Sequence, residues 1–67
     1  MTPNQFNAAL RRLDITQAGA ARLLGVDGRT TRYWAAGDRA IPESVAILLR
    51  LLVSGKITTQ DIEDHRQ

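Results

Sequence analysis

Residues 25–42, with the sequence GVDGRTTRYWAAGDRAIP, hold the side chains whose types and spacing are best suited to chemistry. Arg29 and Arg32 stand three residues apart, beside the only tryptophan of the chain. A helix over 28–36 that turns Thr31 and Trp34 inward leaves the residues between them on the outer face. That outer set is Gly28, Arg29, Arg32 and Tyr33. Its chemistry is hydrogen bonding to a polyanion or a base edge, and the alternative is a set of simply solvated side chains.

Catalytic and metal-binding chemistry have no matching residues. The chain contains no cysteine, and its one histidine, His65, follows Glu63 and Asp64 without a nucleophile or a second histidine at a useful spacing. The ligand sets of structural zinc sites and the pairs of nucleophilic catalysis both need such partners. We therefore expect no enzymatic activity, no metal and no cofactor.

The length of 67 residues allows one small hydrophobic core, so residues 1–67 are predicted to form a single domain. The longest apolar stretch, 45–53, contains Arg50 and is too short to span a bilayer. Residues 1–5 lack the basic start and apolar run of a signal peptide. The sequence thus predicts a cytoplasmic protein without a membrane partner.

Charge is distributed unevenly along the chain, although the formal net charge is only +2. Residues 1–56 carry eight basic and four acidic side chains, whereas residues 57–67 carry three acids and one arginine. A basic body with an acidic tail suits a polyanionic partner, and it is also compatible with an ordinary solvated surface.

Hydrophobic periodicity predicts short helices throughout, with glycine and proline at the breaks. Threonines at 2, 16 and 58 and Asp27 are placed to cap helices, and glycines at 25, 37 and 55 to end them. A fourth helix begins near Pro42 and turns Val45, Leu48, Leu49 and Leu52 inward. A short last helix and tail occupy 57–67. The predicted fold class is all-α, a compact bundle of four to five short helices.

Residues 16–36 fit a helix-turn-helix unit, two short helices joined by a three- to four-residue turn with glycine. The unit reads T-Q-x-x-x-A-x-x-L-G-V-D from Thr16, continues through Thr31 and Trp34, and closes with W-x-x-G-x-R-x-x-P. This pattern resembles the phage repressor and Cro-like (XRE-type) family of DNA-binding domains, over about residues 6–52. The resemblance implies a lambda-repressor-like fold and a sequence-specific transcriptional regulator that binds double-stranded DNA.

In that geometry the helix over 28–36 lies in the major groove with its N-terminal residues on base edges. Arg29 and Arg32 are the predicted base readers, because arginine can bond a guanine edge through two donors. Gly28 and Tyr33 complete the predicted base-reading set. Gly28 stands where a side chain often reads a base, so fewer direct contacts are expected there, and Tyr33 is placed to reach a phosphate or a thymine methyl.

Phosphate contacts are expected to flank the reading helix. The resemblance assigns Thr16 and Gln17, at the N-terminus of the second helix, to one phosphate. Arg39, in the loop after the third helix, is assigned to the DNA backbone on the other side.

Five positions are predicted to hold the unit together: Ala21, Leu24, Val26, Thr31 and Trp34. A small Ala21 permits a close helix crossing, and Leu24 and Val26 fix the turn. Trp34 is predicted to pack the third helix onto the fourth. Thr31 stands where the family has Val or Ile.

Two questions of partnership stay open. The main alternative function is a protein-interaction module, such as the antitoxin of a toxin-antitoxin pair. A homodimer is also predicted, because Ile47 and Leu51 extend the apolar stripe of the fourth helix beyond one core face. The other possibility is that the first and last helices cover that helix on both flanks.

Overall fold

The computed structural model describes residues 1–66, and over that range it contains five helices and no strand. They are α1 (Pro3–Leu13), α2 (Gln17–Leu24), α3 (Gly28–Ala36), α4 (Glu43–Val53) and α5 (Thr59–Asp64). The all-α prediction is confirmed, and so are the breaks between the helices.

Local hydrogen bonds explain where three of the helices begin. Thr2 and Thr58 each form a capping box, with Gln5 and Asp61 respectively, and the Thr16 hydroxyl oxygen accepts a bond of 2.9 Å from the Gly19 amide. Asp27 stands at the N-cap of α3, but its side chain makes no capping bond. The predicted N-cap position is therefore confirmed, and the Asp27 backbone carbonyl accepts from the Thr30 amide, but the carboxylate takes no part in the cap.

Left-handed glycines separate the middle helices. Gly25 and Gly37 have φ angles of 72° and 83°, which a residue with a Cβ adopts only with strain. Only Val26 and Asp27 then separate Gly25 from α3, so the direction of α3 relative to α2 is set within three residues.

The core joins α1, α2, α3 and α4. Its buried cluster comprises Phe6, Ala9, Leu10, Ala20, Leu23, Trp34, Leu49 and Leu52. Ala21 is also buried, as predicted, but Leu24 and Val26 are only partly buried and pack against the rim of the cluster. They flank the turn instead of filling the core, because the turn itself lies at the surface, with Gly25 and Asp27 exposed.

The buried face of α4 is rotated from the predicted one. Ala46 and Leu49 are completely buried and Leu52 nearly so, whereas Val45 and Leu48 are only partly buried. The small Ala46 lets α4 approach the core closely, which moves Leu48 toward the outer surface. The prediction that all of Val45, Leu48, Leu49 and Leu52 point inward is thus only half right.

Trp34 is buried, as predicted, and its aromatic partner is Phe6 on α1. The Trp34 and Phe6 rings meet edge to face, with centroids 5.9 Å apart and an interplanar angle of 80°. α3 packs chiefly against α1 and α2. Trp34 also belongs to the same core cluster as Leu49 and Leu52 of α4, so the predicted contact with α4 is present, but it is not the main packing of α3.

The C-terminal segment packs against α2. Ile57 and Ile62 flank the start of α5 and contact the core from outside. Arg66 then reaches back and donates hydrogen bonds to the carbonyl oxygens of Arg22 and Leu23. These carbonyls lie in the last turn of α2, where helix carbonyls lack intrahelical partners, so α5 supports the end of α2 that leads into the turn.

Candidate nucleic-acid interface

The outer face of α3 is an exposed row that begins at its first residue. Gly28, Arg29 and Arg32 are all exposed, and within residues 1–66 neither arginine forms an ion pair. Residues three apart on a helix have Cβ atoms about 5–6 Å from one another. Two arginines without an ion pair within residues 1–66 therefore start from neighbouring positions on one exposed surface, as the sequence predicted.

Gly28 leaves open space at the N-terminal end of this row. A Cβ built at Gly28 would have no atom within 4 Å, and its φ is an ordinary one. Neither packing nor backbone geometry therefore requires glycine here. The missing side chain instead allows a partner surface to approach the first turn of α3 closely.

Thr31 connects the start of α3 to the start of α2. Its buried hydroxyl lies 3.1 Å from the carbonyl oxygen of Gln17 and 2.9 Å from that of Gly28, and donates its proton between them. A valine or isoleucine has no such group. The threonine at this position therefore links the predicted phosphate-binding residue to the first residue of the predicted reading helix.

Thr16 and Gln17 are exposed at the N-terminal end of α2. The Thr16 hydroxyl already accepts from the Gly19 amide, so its main role here is to cap the helix. Amides in the first turn of a helix have no intrahelical acceptor and favour an anion. Through Thr31, this helix end lies beside the N-terminus of α3.

Arg39 and Tyr33 form a pair at the other end of α3. The Arg39 guanidinium lies over the Tyr33 ring, 4.7 Å from its centroid. Tyr33 is half-buried, so it is less outward than the sequence predicted, because this arginine covers its ring. Arg39 itself is exposed and is held close to the last turn of α3.

A hydrogen bond from α1 fixes the same end of α3. The Asn7 amide nitrogen donates a 3.1 Å bond to the carbonyl oxygen of Ala35, across 28 residues of sequence. Together with the Phe6–Trp34 contact, it holds the inner side of α3 against α1. The sequence analysis missed Asn7. Its position on the flank of the α1 apolar face, one residue after Phe6, is the signal that was available.

The charge around this surface is positive. Residues 16–39 contain four arginines and two aspartates. The two ion pairs found within residues 1–66, Arg50–Glu43 and Arg66–Glu63, involve neither α3 nor the loop that follows it. The exposed row on α3 therefore keeps its charge available to a partner.

Two further findings concern the described residues. Over 1–66, no three or more His, Asp or Glu side chains converge as a metal site would require. No helix in the same range has the length and apolar character needed to cross a membrane.

Comparison of the chain with protein-family models, with curated proteins and with solved structures gave no match.

Proposed function

We propose that this chain is a sequence-specific DNA-binding regulator of transcription whose α3 enters the major groove. The observation that carries the proposal is the pair of exposed, unpaired arginines, Arg29 and Arg32, on a short helix held at both ends. Arginine donates two hydrogen bonds to a guanine edge, and such pairing requires a firmly positioned helix. Thr31 and Asn7 supply that positioning.

Phosphate binding at both sides of α3 is the second part of the proposal. The N-terminal end of α2, with Gln17, contacts one strand, and Arg39 contacts the backbone near the C-terminal end of α3. The short connection between α2 and α3 supports a helix-turn-helix unit of the lambda-repressor-like kind. Phosphate contacts position the helix and base contacts select the sequence.

The test is selection of bound duplexes from a random pool at about 50 and 200 mM salt, a range over which phosphate contacts weaken strongly. We expect one enriched consensus at both salt concentrations, with affinity falling steeply between them. Enrichment of no sequence at either concentration contradicts the proposal. Binding without salt dependence would contradict the phosphate contacts assigned to Gln17 and Arg39.

We also propose that the regulator binds as a homodimer. On α4, Ile47 is 49% exposed and Leu51 36% exposed, and Leu48 beside them is only half-buried. We call these three residues the outer face of α4. α5 packs mainly on α2, which argues against its covering this face. A second copy seated there places two reading helices on a two-fold site, with half-sites roughly 34–36 Å apart.

Leu51→Glu is expected to convert the dimer to a monomer, because it brings a carboxylate into an apolar interface. The dissociation constant of the dimer should rise at least about tenfold, since burying an unpaired charge costs more than the roughly 1.4 kcal/mol to which a tenfold change corresponds. Sedimentation at micromolar concentration, with and without duplex, measures this change.

Val53→Glu is the matched control for Leu51→Glu. Val53 is also 36% exposed on α4, but it lies outside the outer face. The control should remain dimeric and bind the palindromic site cooperatively. A native chain that is monomeric and occupies its site without cooperativity contradicts the homodimer.

A further inference from the structure

A groove lies between α1 and α4. Its volume is about 350 Å³, and its apolar lining includes Ala8 and Ala9 from α1 and Leu49 and Val53 from α4. Arg12 and Arg50 stand at its rim, one on each helix. Val53 is 36% exposed, so part of this apolar lining is open to solvent.

The shape of the groove follows from the spacing of its lining residues. Along α1 these residues run from Gln5 to Arg12 at intervals of one helical turn. At 1.5 Å per residue this wall is about 10 Å long, which corresponds to two turns of a docked helix. Alanines at the centre of the wall permit a close approach by the apolar stripe of such a helix.

The charge of the groove is of one sign. Within residues 1–66, no acidic residue lines the groove, and Arg12 takes part in no ion pair. Arg50 contacts Glu43 at 3.3 Å, but the two side chains are 55% and 72% exposed. Exposed ion pairs of this kind contribute little, so a better-placed carboxylate can replace Glu43.

The groove and the reading helix lie on different flanks of α1. Asn7 bonds to Ala35 of α3, whereas Gln5, Ala8 and Arg12 line the groove. At 100° per residue, these three residues lie about 130° from Asn7 when measured across the exposed side of α1. The core-facing residues occupy the opposite side of the helix, so Asn7 and the groove residues lie on its two different flanks. A partner in the groove therefore leaves the outer face of α3 accessible.

We propose that this groove docks an acidic amphipathic helix of a partner protein. An apolar stripe about two turns long would fill the groove, and carboxylates on both sides of the stripe would pair with Arg12 and Arg50. The acidic α5 of a second copy is a poorer occupant, because Ile62 packs against its own core and Arg66 is bonded to its own α2. The partner is thus a different chain.

The test uses the full chain and a synthetic 16-residue peptide with a leucine stripe flanked by glutamates. We expect backbone amide shifts at Ala8, Ala9 and Val53, measured by nuclear magnetic resonance. Arg12→Glu should weaken binding at least about tenfold, because it replaces an attractive charge with one that repels the glutamates of the peptide, and like charges facing each other across an interface strongly disfavour binding. A peptide with lysines in place of the glutamates should not bind.

Arg11→Glu is the matched control, because it makes the same charge change one residue away and outside the groove. The variant should bind the peptide with a dissociation constant within about twofold of the native value, a change in binding free energy smaller than RT. Arg12→Gln keeps a long polar side chain and tests the charge if Arg12→Glu proves unfolded by circular dichroism.

Four results overturn the proposal: no peptide binding at millimolar concentration, equal losses in Arg11→Glu and Arg12→Glu, shifts confined to α3, or equal binding of the lysine peptide. A native dimer that dissociates with Val53→Glu but not with Leu51→Glu also overturns it, because the groove would then hold a second copy. None of these results depends on whether α3 binds DNA.

Discussion

Trp34→Ala is expected to destabilise the domain by roughly 3–5 kcal/mol, the usual cost of removing a large buried aromatic side chain. Trp34 is 5% exposed, and its ring closes the contact between α3 and α1 at Phe6. At about 0.05–0.15 kcal/mol per residue, a chain of this length has a total stability of a similar size. The variant should therefore lose a large part of its stability at 25 °C.

Thermal and urea unfolding followed by circular dichroism measure this effect. Tyr33→Ala is the control, because it removes the neighbouring aromatic ring, which is only half-buried and is covered by the exposed Arg39. Its loss should be less than half that of Trp34→Ala. If Trp34→Ala keeps native stability and loses DNA binding, the ring belongs to the interface and the assignment of Trp34 to the core is wrong.

Helix positions were predictable because their signals are local. Thr2, Thr16 and Thr58 cap helices with bonds to residues three positions away, and Gly25 and Gly37 end helices through their own backbone angles. These features depend on a few consecutive residues, so they can be predicted from a short stretch of sequence alone. The same holds for the outer row of α3, which follows from the helical period once Thr31 and Trp34 are turned inward.

Packing between helices was less predictable, because it depends on residues distant in sequence. The periodicity of α4 did not single out the small Ala46 as the closest point to the core, and it assigned Leu48 to the interior. The pairing of Trp34 with Phe6 and the bond from Asn7 to Ala35 each join segments 28 residues apart. The spacing of apolar residues defines the buried face of a helix, but it does not specify which other helix packs against that face.

The hydroxyl of Thr31 illustrates the same limit within the site. The sequence showed a polar residue at a position that the helical period turns inward. Only the folded chain brings the carbonyl oxygen of Gln17 within 3.1 Å of that hydroxyl. The buried hydroxyl therefore does not destabilise the fold, because its proton lies within hydrogen-bond distance of two carbonyl oxygens, those of Gln17 and Gly28.

Arg29→Ala and Arg32→Ala are each expected to reduce discrimination between the selected DNA site and random DNA by about 1–3 kcal/mol, the value of one two-pronged guanine contact. Both side chains are exposed and make no ion pair within residues 1–66, so their removal should leave the unfolding temperature nearly unchanged. Affinity for the site and for a scrambled duplex, measured at one salt concentration by fluorescence anisotropy, gives the discrimination directly.

Arg39→Ala provides the contrast, because it removes the same charge from a residue assigned to the phosphate backbone. It should weaken binding to both duplexes by the same factor. The slope of the logarithm of the binding constant against the logarithm of salt concentration should become shallower by about one. The double variant of Arg29 and Arg32 should bind the selected site scarcely better than the scrambled duplex. If all three single variants instead reduce both affinities equally, these arginines act only as charges, and sequence is read by other groups on α3 or through the shape of the DNA.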